Sequence, residues 1–174
     1  MPYTNIVLFL KKCVLHKGEY KMVKGIHYVE LDRPVSDIWD FVSDMNNWAP
    51  LVPGYVSHQI IDDRHSVWVI HADIGIMERT VTLNVKIVEF IEPETIIFQV
   101  ATLNETCKGE GYFEVEAHSD TKSKMKGCLQ VHVKGMVGTM VNPVLKTFVP
   151  KVGKDFTEKI AANIMDRETA RATI

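Results

Sequence analysis

The sequence predicts an α+β domain in which a curved antiparallel sheet of about six or seven strands wraps around a long C-terminal helix, with two short helices after the first strand. Three observations predict it. A strand-like opening gives way to a helical period. A series of strand-like runs, separated only by short turn signals, fills the middle of the chain. One apolar stripe with helical spacing then runs along its end.

The first strand is "GIHYVEL", residues 25–31, rich in β-branched and aromatic side chains. The period then changes: Val35, Ile38, Trp39 and Val42 fall at i, i+3, i+4 and i+7, one face of a short helix. Pro34 suits its first turn and Ser36 is an alternative cap. Asp44 is placed to cap a further turn from Met45 to Trp48, which Pro50 and Pro53 then end.

After Gly54 the strands follow one another: "YVSHQII", "SVWVIHADI", then the clearest alternation in the chain. Met77, Val81, Leu83, Val85 and Ile87 share one parity, while Glu78, Thr80, Thr82, Asn84 and Lys86 share the other, as in a strand with one dry and one wet face. "TIIFQVATL", "CKGEGYFEVEA" and "SKMKGCLQVHVKG" complete the series, and their short connections imply an antiparallel meander. Val141, Leu145, Phe148, Val152, Phe156, Ile160 and Ile164 then form the helical stripe. Pro143 suits the entrance to this helix, and Pro150, inside the pattern, predicts a kink.

The composition bounds the function. The chain has 174 residues, is 46% hydrophobic and 24% charged, and carries a formal net charge of -2. That length favours one domain, here residues 22–174, with a sizeable core. The charge lacks the basic footprint of a nucleic-acid binder. Cys13, Cys107 and Cys128 have no metal or redox spacing, and their odd number argues against a disulfide framework, which fits a reducing cytoplasm. No dinucleotide fingerprint, phosphate loop or nucleophile elbow appears, so no cofactor is implied.

Residues 1–21 stand apart. "NIVLFL" is too short for a membrane span, and no cleavage site follows it. In a bacterial gene, Lys17-Gly18-Glu19 can be encoded by a purine-rich ribosome-binding site ahead of a start codon at Met22. The expectation is that residues 1–21 are a mis-assigned extension or disordered leader; the alternative is a genuine extra strand.

The order of elements, together with "VSDIWDFVSDMNNWAPLVPGY", resembles the START-like superfamily (SRPBCC, helix-grip fold), which includes polyketide cyclases and lipid-transfer domains. Within it the chain is most similar to the CoxG-like branch. The carriers of that likeness are Trp39 in the first helix, Pro53-Gly54 after the helical segment, the glycine-bearing "KGEGYF", and Val131, Val133 and Gly135 before the last helix. Tyr55 stands where that branch usually has a cysteine. The resemblance implies a cavity for a hydrophobic molecule between helix and sheet.

Several residues are candidates for such a site. Gly109 and Gly111 leave room above the sheet, either for a ligand or for sheet curvature and helix approach. Trp48, Leu51, Val52 and Tyr55 either gate a pocket mouth, stiffened by Pro50 and Pro53, or cap the end of the sheet. Met77, Leu83, Phe98, Val100, Leu129 and Leu145 are the expected lining or, equally, plain core. His58, His71 and His132 fall in strands without metal-site spacing, so no metal is expected. His71 and Asp73, at i and i+2, form an acid–base pair if both face inward, with Glu78 and Arg79 within reach; otherwise they belong to an exposed hairpin end.

Three functions follow from these readings. The first is a carrier or sensor of a hydrophobic molecule such as a lipid, quinone or polyketide. The second is a cyclase or dehydratase working through His71 and Asp73. The third, implied by the CoxG resemblance, is a protein making peripheral membrane or partner-complex contacts.

Overall fold

A computed structural model describes residues 22–171, and the expected leader at 1–21 lies outside the described residues. In chain order the elements are β1 (Val23–Leu31), α1 (Val35–Val42), α2 (Met45–Trp48), a 3-10 turn (Ala49–Leu51), β2 (Tyr55–Ile60), β3 (His65–Asp73), β4 (Glu78–Ile91), β5 (Thr95–Thr102), β6 (Cys107–Ser119), β7 (Lys122–Val133) and α3 (Gly135–Arg171).

The seven strands form one sheet in the order β1-β7-β6-β5-β4-β3-β2, every pair antiparallel. The meander from β2 to β7 follows from the short turns between them, and β1 then adds to the free edge of β7. Register breaks at Tyr55/Ser57, Ile87/Glu89 and Ala117/Ser119 bend the strands, so the sheet curls. Alternation decides which side is concave. On β4, Val85 and Ile87 are buried while Glu78, Thr80, Asn84 and Lys86 are exposed.

The helix α3 lies against β1 and β7, and glycine allows the contact. A Cβ on Gly25 would lie 2.8 Å from the Pro150 Cα, and one on Gly127 would lie 2.2 Å from Thr157 Oγ1. At those two positions the strands therefore approach the helix more closely than any larger residue would allow. Thr157 itself is fully buried, its hydroxyl donating to the Gly153 carbonyl at 2.7 Å.

The start of α3 departs from expectation. The helix begins at Gly135, eight residues before Pro143, and continues unbroken through Pro143 and Pro150. Its first turns are pinned to the end of β7 by Asn142, whose side chain accepts from the Val133 N–H at 3.1 Å and donates to the Val133 carbonyl at 2.8 Å. Gly138 allows that approach, since a Cβ there would lie 2.0 Å from the Val133 oxygen. Tertiary anchoring thus overrides the weak helix propensity of this glycine-bearing stretch.

The helical segment after β1 is held by its own side chains. Pro34, extended, stands at the N-cap of α1 without a side-chain hydrogen bond, and Ser36 does not cap it. At the other end, the last carbonyls of a helix lack intrahelical partners. Asn47 Nδ2 donates to the Phe41 carbonyl at 2.9 Å and Trp48 Nε1 donates to the Val42 carbonyl at 3.0 Å. Asp44 caps α2, accepting from the Asn46 N–H at 2.9 Å. These bonds turn the Trp48 ring inward.

Candidate functional site

Between α3 and the concave face of β3–β7 lies a cavity of about 550 Å³, within the usual range for small-molecule sites. It exists because the helix is held close to β1 and β7 and leaves the middle of the sheet uncovered. Its position also explains a burial anomaly. Phe148, Val152 and Phe156 point between helix and sheet yet are only half-buried, because part of each side chain borders the cavity.

The floor is aromatic. Trp48 is fully buried, with ring centroids 5.2 Å from Trp68, 5.4 Å from Phe98, 5.4 Å from Phe113 and 6.2 Å from Phe156. The Trp68 and Phe113 contacts are near edge-to-face, the favoured aromatic geometry. The walls come from alternate residues of the strands, among them Ile70, Val81, Leu83, Val100 and Leu129, and from Val141 and Leu145 of α3. Ile74 and Met77, at the tip of the β3–β4 hairpin, pack toward Val141 and Leu145 and partly roof the space.

The mouth is identified by exposure. Among the lining residues, Leu103 keeps 67% of its surface accessible and Val137 48%, and Arg79, Asn104 and Thr106 are also exposed. The opening is thus framed by the β3–β4 and β5–β6 hairpin ends and the first turn of α3, at the opposite end from Trp48. The proposed gate is corrected accordingly. Trp48 belongs to the floor and Val52 to the lining beside it, while Leu51 and Tyr55 pack on the surrounding core and stand outside the lining. The Tyr55 hydroxyl instead pairs with His58 Nδ1 at 2.8 Å, and His58 Nε2 lies 3.1 Å from Asn46 Oδ1. The apolar segment "NNWAPLVPGY" closes one end of the curved sheet, as the capping alternative expects, and does not form the doorway.

The other candidate residues separate cleanly. Met77, Leu83, Phe98, Val100, Leu129 and Leu145 all line the cavity. Gly109 and Gly111 do not, because neighbouring side chains fill the space above them. A Cβ on Gly111 would lie 2.5 Å from the Phe98 ring, and one on Gly109 would lie 2.9 Å from Val100 Cγ2. Their glycines let those wall residues lie flat on the sheet. His71 and Asp73 are not in the cavity either. On β3 the inward residues are Trp68, Ile70 and Ala72, so the odd positions after them face outward. His71 Nε2 meets Glu78 Oε1 at 2.9 Å on that outer face, and Asp73 Oδ1 accepts from the Gly75 N–H at 2.8 Å in the turn.

What polarity the cavity has is concentrated at its mouth. Arg79 occupies the inward parity of β4, opposite Ala72, and forms no ion pair or hydrogen bond among the described residues. Asn104 Oδ1 accepts from Thr102 Oγ1 at 2.9 Å and from Thr106 Oγ1 at 2.8 Å. Cys107 and Cys128 also line the cavity, and burial pushes both thiols up, so they stay protonated near neutral pH and are poor nucleophiles.

Sequence reasoning missed Leu103, Thr106 and Val137, and it set Arg79 beside His71 and Asp73 rather than at the mouth. For Arg79 the signal was present: it sits in the otherwise apolar phase of Met77, Val81, Leu83, Val85 and Ile87.

A protein-family model matches residues 22–168 of the chain. Among curated proteins no sequence matches it. Solved structures share the architecture at low identity. A conserved protein from Geobacillus kaustophilus is 16% identical with a TM-score of 0.70, the match covering 82% of this chain and 95% of that one. The Zhui aromatase/cyclase from Streptomyces sp. R1128 is 13% identical with a TM-score of 0.66, over 84% and 96%. A START superfamily protein from Mycobacterium smegmatis is 14% identical with a TM-score of 0.60, over 84% and 99%.

Proposed function

The chain belongs to the START-like (SRPBCC) superfamily, and from that premise we propose that it binds a hydrophobic small molecule, as a carrier or sensor, in the cavity between α3 and the sheet. The observation that carries this reading is the apolar space of about 550 Å³ bordered by half-buried Phe148, Val152 and Phe156. Left empty, such walls forgo the dispersion contacts that a filled core makes. An apolar guest restores them and contributes about 0.8 kcal/mol for each methylene it buries. No charged anchor deep in the site is needed.

Native mass spectrometry after mild purification tests the reading, with apolar co-purified mass as the expected result. Val81→Trp, which puts an indole into the middle of the cavity, abolishes the adduct while the circular dichroism stays that of the folded protein. An adduct retained at full occupancy by the folded Val81→Trp protein sinks the proposal.

A second reading has one observation in its favour. Ile76, Leu103, Met136, Val137 and Met140 are 48% to 90% exposed and belong to the hairpin ends and first helical turns that frame the mouth. An apolar rim around an apolar opening suits contact with a lipid surface, across which a guest passes without meeting water. Among the described residues no helix is long and apolar enough to cross a membrane, so this contact is peripheral. Flotation with vesicles tests it: Leu103→Asp with Met136→Asp releases a bound protein, and flotation equal to wild type rejects the reading.

A further inference from the structure

We infer that the guest is an amphiphile with an anionic, carboxylate-type head, its apolar body lying toward Trp48 and its head held at the mouth by Arg79 and the Asn104 amide. The inference rests on the cavity reading and adds to it the chemistry and direction of the ligand.

Three features point the same way. The gradient of polarity is one-sided, since the floor around Trp48, Trp68, Phe98 and Phe113 is aromatic and the polar side chains lie at the opposite end. A wholly apolar guest has no use for that asymmetry, and a guest with a buried polar head is excluded by the floor, where an unpaired polar group is heavily penalised.

The second feature is the charge at the mouth. Arg79 sits at an inward position of β4 and forms no ion pair among the described residues. The acids that might neutralise it are engaged elsewhere: Glu78 with His71 on the outer face, and Glu105 with Lys108 at 2.6 Å. A guanidinium with all five N–H donors available matches a planar carboxylate better than it matches a hydroxyl or ketone.

The third is orientation. Asn104 Oδ1 accepts from the Thr102 and Thr106 hydroxyls and, at 3.3 Å, from the Thr106 N–H. With its oxygen fixed by three bonds, the amide presents its NH2 group, which donates to nothing among the described residues, away from the turn. The mouth therefore offers two donor groups, the Arg79 guanidinium and the Asn104 amide, that meet no acceptor among the described residues.

Isothermal titration calorimetry of the full chain with dodecanoate and dodecanol separates the possibilities, because the two share an apolar body and differ in the head. The expected result is that wild type prefers dodecanoate by about tenfold, the scale of one charge-assisted contact near the surface. Arg79→Gln brings that ratio close to one, and Arg79→Lys, which keeps a point charge without the planar fork, gives an intermediate ratio. Equal affinity of wild type for the two probes, or a ratio unchanged in Arg79→Gln, overturns the head-group inference and leaves the cavity reading standing. Binding of neither probe overturns both.

Discussion

Replacing Trp48 tests where the closed end of the cavity lies. In the structure this side chain is fully buried, meets four aromatic rings, and donates its indole N–H to the Val42 carbonyl at 3.0 Å. Truncating a buried tryptophan to alanine costs about 3–5 kcal/mol. The unpaired helix-end carbonyl adds about 1 kcal/mol. Merging the new void with the existing cavity does not recover either loss, because the floor rings lose their partner in both cases. A destabilisation of about 4–6 kcal/mol, divided by a urea slope of about 2 kcal/mol/M, lowers the unfolding midpoint by about 2–3 M. Trp48→Phe keeps a ring and loses the hydrogen bond, for a smaller drop of about 0.5–1 M on the same slope. A residue gating an exposed mouth behaves differently: Ile76→Ala, at a site 55% exposed, stays within about 0.5 kcal/mol of wild type. The assay is equilibrium urea unfolding followed by far-ultraviolet circular dichroism, which does not depend on the tryptophan removed. A midpoint shift below about 0.5 M for Trp48→Ala refutes the assignment of this residue to the floor.

Other outcomes are expected. Gly127→Ala forces a Cβ to within 2.2 Å of Thr157 Oγ1 and lowers stability by about 1–3 kcal/mol; adding Thr157→Ala recovers part of the loss, and strict additivity in thermal melts rejects the contact. Because burial raises the Cys107 thiol, less thiolate exists at any given pH than for a free cysteine. Peptide-mapped iodoacetamide alkylation of Cys107 at pH 8 is therefore slower than for a model thiol, accelerates as pH rises, and slows further when the cavity is occupied; a rate at or above the model thiol contradicts the environment described. His71→Ala, on the outer face, leaves both apolar-ligand affinity and stability nearly unchanged, the latter within about 0.5 kcal/mol, and a loss of binding by tenfold shows that this histidine reaches the guest.

Much of the fold is legible in the sequence because it depends on local periods. The alternation of Val81, Leu83, Val85 and Ile87 locates the dry face of β4, and the spacing of Ile38 and Val42 fixes the buried face of α1. The lining follows from the same parity, which is why Met77, Leu83, Phe98, Val100, Leu129 and Leu145 fall where residue phase puts them. Three things escape a linear reading. Trp48 ends the short helical turn that the sequence predicts, but the direction of its ring is set by the hydrogen bond back to Val42, beside that of Asn47 to Phe41, which a linear reading does not show. The mouth is assembled from Arg79, Leu103 and Val137, each at the end of a different element and apart by two dozen residues or more. The start of α3 is hidden because Gly135 and Gly138 argue against helix, whereas Asn142 bonded to Val133 secures one.

The glycine contacts of Gly25 and Gly127 have a consequence for how the protein accommodates different guests. They fasten the terminal rod along one margin of the sheet, whereas on the β3–β4 side it meets side chains, Ile74 and Met77 among them. A tilt about that seam changes the clearance over β3, β4 and β5 most, and the seam itself least. Capacity can then vary without a single ladder bond breaking, as a book opens along its spine.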